Sequence, residues 1–272
     1  MLTGRLLVTG PLRSGTTMIA SDIATRVLQV TPKPEISPLS DVLALSAKWR
    51  KNYDPPRYEA WIRDDSLPNA HADWCLEQLM PASSEQAWQI GKDPELVRFP
   101  DELERMSASG TKILLCVRDP LDVMASALDV QRRQSHGHSR RTYIDAVQVA
   151  YQGLLRLLSY ADSSSQYYVV RYEEYVRDAP EHWQLIADWL GVPFANLQDS
   201  DFNRAVDTTD PYFTPLLYMA PTDKQVGAWK TRLRPHERRY LANVFSGVRA
   251  SLDYEPASTN ACLARLGSRS FR

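Results

Sequence analysis

The chain has 272 residues, with 32 basic side chains against 33 acidic ones and a formal net charge of −1. That length builds one large α/β unit or two small ones, and the balanced charge excludes a broad nucleic-acid or anionic-membrane face. Cys75, Cys116 and Cys262 form no CxxC pair and no zinc spacing, which excludes a disulfide framework and points to a reducing compartment.

In chain order, the apolar run Leu6 to Val8 predicts a strand near residues 5–9. It enters Gly10-Pro11-Leu12-Arg13-Ser14-Gly15-Thr16-Thr17, with a helix beginning near Met18. This is the layout of a phosphate-binding loop: glycines let the backbone approach an anion, and the new helix aims unpaired N–H groups at it. The spacing fits G-x-x-x-x-G-x-[ST], but Thr16 stands where a nucleoside triphosphatase carries Lys, and the cation is Arg13. The loop is therefore expected to hold a phosphate in a different manner from an ATPase or GTPase. A strand this close to the first residue leaves no room for a signal peptide or anchor, so a cytoplasmic enzyme is expected.

Glu35 lies in the turn Lys33-Pro34-Glu35-Ile36-Ser37, before a helix predicted over Leu39 to Trp49. Trp49, Tyr53, Tyr58, Trp61, Trp74 and Trp88 make the middle of the chain aromatic-rich, suited to core packing or to stacking on an acceptor. His71 falls in the same region. A strand near 87–91 leads into Gly91-Lys92-Asp93-Pro94, and a helix is predicted over Leu96 to Met106.

Five successive apolar residues, Ile113 to Val117, predict a strand buried on both faces, over about 112–118. Asp119 then suits a helix N-cap with Pro120 at the first helical position. Arg118 ends the strand, and Ser126 follows it by eight positions. Residues 131–141 hold four Arg and two His, readable as a solvated loop, a lid over a nucleotide, or a cradle for an acidic acceptor. A helix over Tyr143 to Tyr160, a strand near 166–171 ending at Tyr172-Glu173-Glu174, and a helix over Pro180 to Leu190 follow; Gly191 and Pro193 stop that helix. Val226-Gly227-Ala228-Trp229-Lys230 precedes a last helix, Pro235 to Leu252, and from about residue 256 the tail is small and polar, as a mobile end would be.

The alternation of strands and helices predicts an α/β fold: a P-loop-type three-layer sandwich, its central parallel sheet flanked by helices, as a single domain over 1–272. Ligands in such folds sit at strand C-termini. Arg13, Lys92, Arg118 and Tyr172 all fall at or just past a predicted strand end.

Taken together, these segments resemble the sulfotransferases that use 3′-phosphoadenosine-5′-phosphosulfate. The resemblance covers most of residues 5–252. It implies that the loop Arg13, Ser14, Gly15, Thr16 and Thr17 holds the donor's 5′-phosphosulfate, the Arg form being similar to tyrosylprotein-type and many bacterial members. It further implies that Arg118 and Ser126 hold the 3′-phosphate, that Lys92 of the Lys-Asp-Pro turn touches the transferred group, and that Tyr172 contacts the nucleotide. The chain departs from the cytosolic pattern at Thr222-Asp223-Lys224, where Arg-Lys-Gly is expected. Lys224 or Lys230 is left to reach the nucleotide there. Anchored members of the Golgi carry a membrane segment that this sequence lacks room for, so the resemblance points to a soluble, bacterial-type enzyme.

The reaction implied is in-line transfer of a sulfuryl group to a hydroxyl or amine of a small-molecule or carbohydrate acceptor, with no metal, no nucleic-acid partner and no membrane. Arg13 and Lys92 would stabilise developing charge. Glu35, 22 residues beyond Arg13, is the candidate base; His71, 58 beyond it, is the runner-up, with His136 and His138 behind. A P-loop small-molecule kinase and a catalytically inactive nucleotide-binding module are the alternatives. The missing Walker lysine and the Arg118–Ser126 spacing speak against the first, and retention of Arg13 and Lys92 against the second.

Overall fold

Four short strands, β1 (Gly4–Thr9), β2 (Trp88–Lys92), β3 (Lys112–Val117) and β4 (Tyr167–Arg171), form one sheet in the order β2-β1-β3-β4. Every pairing is parallel, with Leu6 opposite Ile90 on one side of β1 and opposite Lys112 on the other. The computed structural model describes residues 4–52, 66–81, 88–133, 139–194 and 220–255. All strands run the same way, so every C-terminal end opens on one edge of the sheet, as the alternating sequence requires.

Helices cover both faces. Among the described residues, those of seven residues or more are α1 (Thr16–Asp22), extended by a π-turn Ile23–Val27, then α2 (Ser37–Asn52), α3 (Ser66–Leu79), α4 (Pro100–Ala108), α5 (Pro120–Arg133), α6 (Arg140–Ala161), α7 (Ala179–Leu190) and α8 (Pro235–Val244). Alternate residues of the central strands feed two cores. Leu7, Ile113, Leu115 and Val117 face α5 and α6, joined by Tyr151, Leu154 and Phe245. Leu6, Val8, Leu114 and Cys116 face α1 and α7, with Ile19, Ile23, Trp183 and Ile186. Burial on both faces is why Ile113 to Val117 read as a continuous apolar run instead of an alternating one.

Two predicted helices are each divided. Leu96 to Met106 becomes a 3-10 turn (Pro94–Arg98) and α4, because Phe99 precedes Pro100 and is pushed to φ −120, ψ 59. Pro235 to Leu252 becomes α8 and a short helix Ser246–Ser251, divided at the fully buried Phe245. Hydrogen bonds from Phe245 N–H to the Leu241 carbonyl and from Arg249 N–H to the Phe245 carbonyl run through the break. Ser246 and Gly247, poor helix formers, locate the bend. No helix among the described residues is long and apolar enough to cross a membrane.

Candidate active site

The loop between β1 and α1 is shaped by contacts that only glycine permits. A Cβ on Gly10 would stand 2.4 Å from the Cys116 carbonyl oxygen, so the loop lies directly on β3. Gly15 has φ 97, and a Cβ there would stand 2.6 Å from the Tyr172 ring. Arg13 itself is left-handed at φ 65, a conformation that costs a non-glycine residue about 1 kcal/mol or more and gathers at functional sites. The turn is closed by a hydrogen bond from Ser14 N–H to the Pro11 carbonyl, 3.0 Å. Gly15 caps α1 without a side-chain acceptor, which leaves first-turn N–H groups pointing out of the helix. Ser14 is fully buried, and its Oγ has no hydrogen-bond partner among the described residues.

On one flank of the loop, the end of β2 supplies Lys92. Its side chain is 8% exposed, and Nζ donates to Thr17 Oγ1 at 3.0 Å and to Glu35 Oε1 at 2.5 Å. Glu35 reaches it because residues 35 and 92 form a parallel β-bridge, continued by Ile36 N–H donating to the Lys92 carbonyl at 2.9 Å. Asp93 caps the following turn through Glu95 N–H at 2.9 Å. Burial holds its carboxyl above the ordinary carboxylate range, with nearby Glu35 adding to the effect. The Asp93 backbone is tied to β1 on both sides: its N–H donates to the Val8 carbonyl, and its carbonyl accepts from Thr9 Oγ1.

The other flank is built by β3, α5 and β4. Arg13 Nε donates to Ser126 Oγ at 3.0 Å. Arg118, 6% exposed, donates to the Arg13 carbonyl and to the Gln225 carbonyl, each at 3.0 Å, and its guanidinium lies 3.9 Å from the Tyr172 ring centroid. Its Nε has no partner among the described residues. Burial raises the Tyr172 hydroxyl above its ordinary value against the opposing pull of Arg118. Arg13, Ser126, Arg118 and Tyr172 are therefore one contact group, and Lys92, Glu35 and Thr17 are another, on opposite sides of the same loop.

The Lys224 side chain is exposed on the 3-10 turn Asp223–Gln225, and exposed Lys230 lies over the Trp229 ring at 5.8 Å. It is the Gln225 backbone of this segment that reaches the site. His71 is exposed on α3, with its ring 5.5 Å from that of Trp49. His136, His138, Tyr53, Tyr58, Trp61, Cys262 and the tail from 256 lie outside the described residues. Of the basic segment 131–141, Arg132 and Arg140 both bind the buried Glu237 carboxylate, at 3.1 and 3.3 Å.

Sequence reasoning missed a buried network just behind Arg118. Arg249 Nη1 binds both carboxylate oxygens of Asp119 at 2.5 and 2.6 Å, and Asp119 N–H donates to Glu173 Oε1 at 2.9 Å. The Tyr254 hydroxyl donates to Glu173 Oε2 at 3.0 Å, and burial followed by the Glu173 charge pushes that hydroxyl far up. Asp119 also caps α5 through Leu121 N–H, so the capping role legible in sequence hides a second role facing residues 249–255. Among the described residues, no three His, Cys, Asp or Glu side chains stand together as a metal site.

A parallel sheet whose first strand ends in a glycine-lined loop and helix N-terminus, with basic side chains at neighbouring strand ends, defines the P-loop-type α/β class. The chain belongs to the sulfotransferase family, whose model matches residues 5–196. Solved structures share the fold at low identity. The sulfotransferase domain from the curacin biosynthetic pathway is 20% identical with a TM-score of 0.59, covering 93% of this chain and 99% of that one. The sulfotransferase domain of the Synechococcus PCC 7002 olefin synthase is 17% identical with a TM-score of 0.61, covering 93% and 96%. A sulfotransferase from Alicyclobacillus acidocaldarius is 15% identical at 0.53, covering 93% and 95%. No curated protein matches the sequence.

Proposed function

We propose that the chain transfers a sulfuryl group from 3′-phosphoadenosine-5′-phosphosulfate to a hydroxyl or amine of a small-molecule or carbohydrate acceptor. The observation that carries this reading is the division of labour around the loop. One flank joins a buried cation to a carboxylate (Lys92 with Glu35), and the other gathers Arg13, Ser126, Arg118 and Tyr172. A transferase using a nucleotide with two separate phosphate groups needs an anion cradle, a second phosphate subsite, and an acid–base pair at the transferred group.

The residues fit such a donor. Glycines at 10 and 15 keep the cradle clear of side chains, and the Ser14 hydroxyl and Arg118 Nε are buried polar atoms without partners among the described residues. Gly15, Thr16 and Thr17 would hold the 5′-phosphosulfate; Arg118 and Ser126 would hold the 3′-phosphate. The donor supplies an activated sulfuryl group with a phosphate as leaving group. Glu35 would take the proton of the acceptor hydroxyl as its oxygen bonds to sulfur. Lys92 has three N–H groups; two are given to Thr17 and Glu35, and the third would meet the sulfuryl oxygens. Arg13 would neutralise charge on the leaving phosphate. Contacts from Asp119 and Arg118 to residues 225–249 support reading the whole chain as one unit.

The test is transfer of radiolabelled sulfate from the donor to an acceptor panel, without added metal. Labelled product supports the reading. Transfer of a γ-phosphoryl group from ATP with Mg²⁺ would replace it with the kinase alternative, and no transfer beside tight nucleotide binding would favour the inactive module.

A further inference from the structure

Asp122 lies in the first turn of α5, where an acidic side chain ordinarily needs no more explanation than the helix dipole. This one is 2% exposed, and both its oxygens are occupied by backbone more than a hundred residues away. Oδ2 accepts from Gly227 N–H at 2.7 Å, and Oδ1 accepts from Trp229 N–H at 2.9 Å. The two N–H groups converge because Gly227 is left-handed, φ 69, and Ala228 right-handed, φ −61 and ψ −22. Successive residues of opposite hand form a concave nest of N–H donors that suits an anion. Here the anion is the protein's own carboxylate.

Two residues before this nest, the Gln225 carbonyl accepts from Arg118 Nη2. Among the described residues Arg118 has one other backbone acceptor, the Arg13 carbonyl in the loop, and rests on Tyr172. The Gln225 carbonyl is thus one of the groups that set the direction of the guanidinium, and Asp122 holds the chain two residues further on, at Gly227. The downstream part of this segment has separate anchors, since Trp229 and Leu233 are buried in the core. Loss of Asp122 would leave those anchors in place and remove the side-chain hold on the turn at 225–228, which then rests on local backbone bonds such as Val226 N–H to the Asp223 carbonyl.

We propose that Asp122 is a positioning residue for the donor's 3′-phosphate subsite, acting through the Gly227–Trp229 nest and the Gln225 carbonyl on Arg118. This rests on the donor reading above.

The test is calorimetry on the full chain with two probes, adenosine 3′,5′-bisphosphate and AMP, which differ by the phosphate that Arg118 would hold. Asp122→Ala should weaken the bisphosphate roughly tenfold to thirtyfold, the scale of a charge-assisted hydrogen bond, and leave AMP within about twofold. Asp122→Asn, keeping one acceptor oxygen, should fall between. Equal weakening of both probes would mean a merely structural role and overturn the proposal, as would no weakening of either. If Asp122→Ala does not fold, Gly227→Pro opens the same nest from the other side without touching α5, because proline lacks the N–H that meets Oδ2 and cannot hold φ 69. Unchanged discrimination in that variant overturns the proposal equally. A wild-type protein that binds both probes alike would sink the donor reading and this inference with it. A wild type that prefers the bisphosphate, beside an unaffected Asp122→Ala, sinks this inference alone.

Discussion

Glu35 and Lys92 are joined twice, by a backbone β-bridge and by a 2.5 Å ion pair between their side chains. The first bond fixes the second. Because the Lys92 carbonyl accepts from Ile36 N–H, the carboxylate cannot drift along β2 without breaking a strand-like contact. Lys92 is buried and Glu35 about half exposed, so the pair presents its cation to the loop and its carboxylate to solvent and to any acceptor.

This arrangement makes Glu35 the expected base. Glu35→Gln should lose about 10²–10⁴-fold in turnover while binding nucleotide normally, because the amide keeps the shape but cannot take a proton. His71→Ala should stay close to wild type, since His71 is packed beside Trp49 on α3. Steady-state rates of the two variants decide it: an active Glu35→Gln beside an inactive His71→Ala would transfer the role to the histidine.

Lys92 should act on the transition state more than on binding. Lys92→Ala is expected to lower kcat by roughly a hundredfold or more, with a much smaller change in nucleotide affinity. Single-turnover kinetics beside calorimetry separates the two quantities. Near-normal turnover in this variant would make Lys92 a structural partner of Thr17 and Glu35 alone.

The strand ends were the most legible part of the molecule. Apolar runs place β1 and β3 directly, and a residue at the end of a parallel strand necessarily opens on the same edge as its neighbours, so the sequence alone groups Arg13, Lys92, Arg118 and Tyr172. Pairings across more than a hundred residues were not legible. Asp119 to Arg249, Asp122 to Gly227 and Glu237 to Arg132 depend on how loops return to the sheet, which no local period encodes. Asp122 did leave one trace, a lone acid among Leu121, Val123 and Met124 on a helix that is otherwise apolar there. The basic segment at 131–141 reads equally as a solvated loop, a lid or a cradle, and its composition does not disclose that Arg132 and Arg140 bind a single buried carboxylate.

Gly15 should be intolerant of the smallest side chain. At φ 97, with a Cβ 2.6 Å from the Tyr172 ring, Gly15→Ala must displace either the loop or the ring that stacks on Arg118. The left-handed backbone adds about 1 kcal/mol of strain. Nucleotide affinity is expected to fall at least about tenfold, and Tm to drop by about 2–4 °C for each kcal/mol of strain and displaced packing. Titration of adenosine 3′,5′-bisphosphate and a thermal scan check both halves.

Glu237 provides a pH-dependent prediction away from the site. Burial alone would raise its carboxyl, but the Arg234 N–H and the Arg132 and Arg140 guanidiniums outweigh that and hold it below the ordinary glutamate range. A carboxylate with a depressed folded-state pKa contributes stability that is present above its unfolded value, near 4.3, and lost as pH falls through the folded one. The two arginines are about a third to a half exposed, so solvent screening reduces their share, and the capping bond from Arg234 N–H at 2.9 Å carries much of the rest. Glu237→Gln should therefore destabilise the protein by about 1–2 kcal/mol at neutral pH. Denaturant titrations of both proteins from pH 7 downward should converge in acid. A difference that persists undiminished well below pH 4 would show that the carboxylate charge is not what holds α8 to α5.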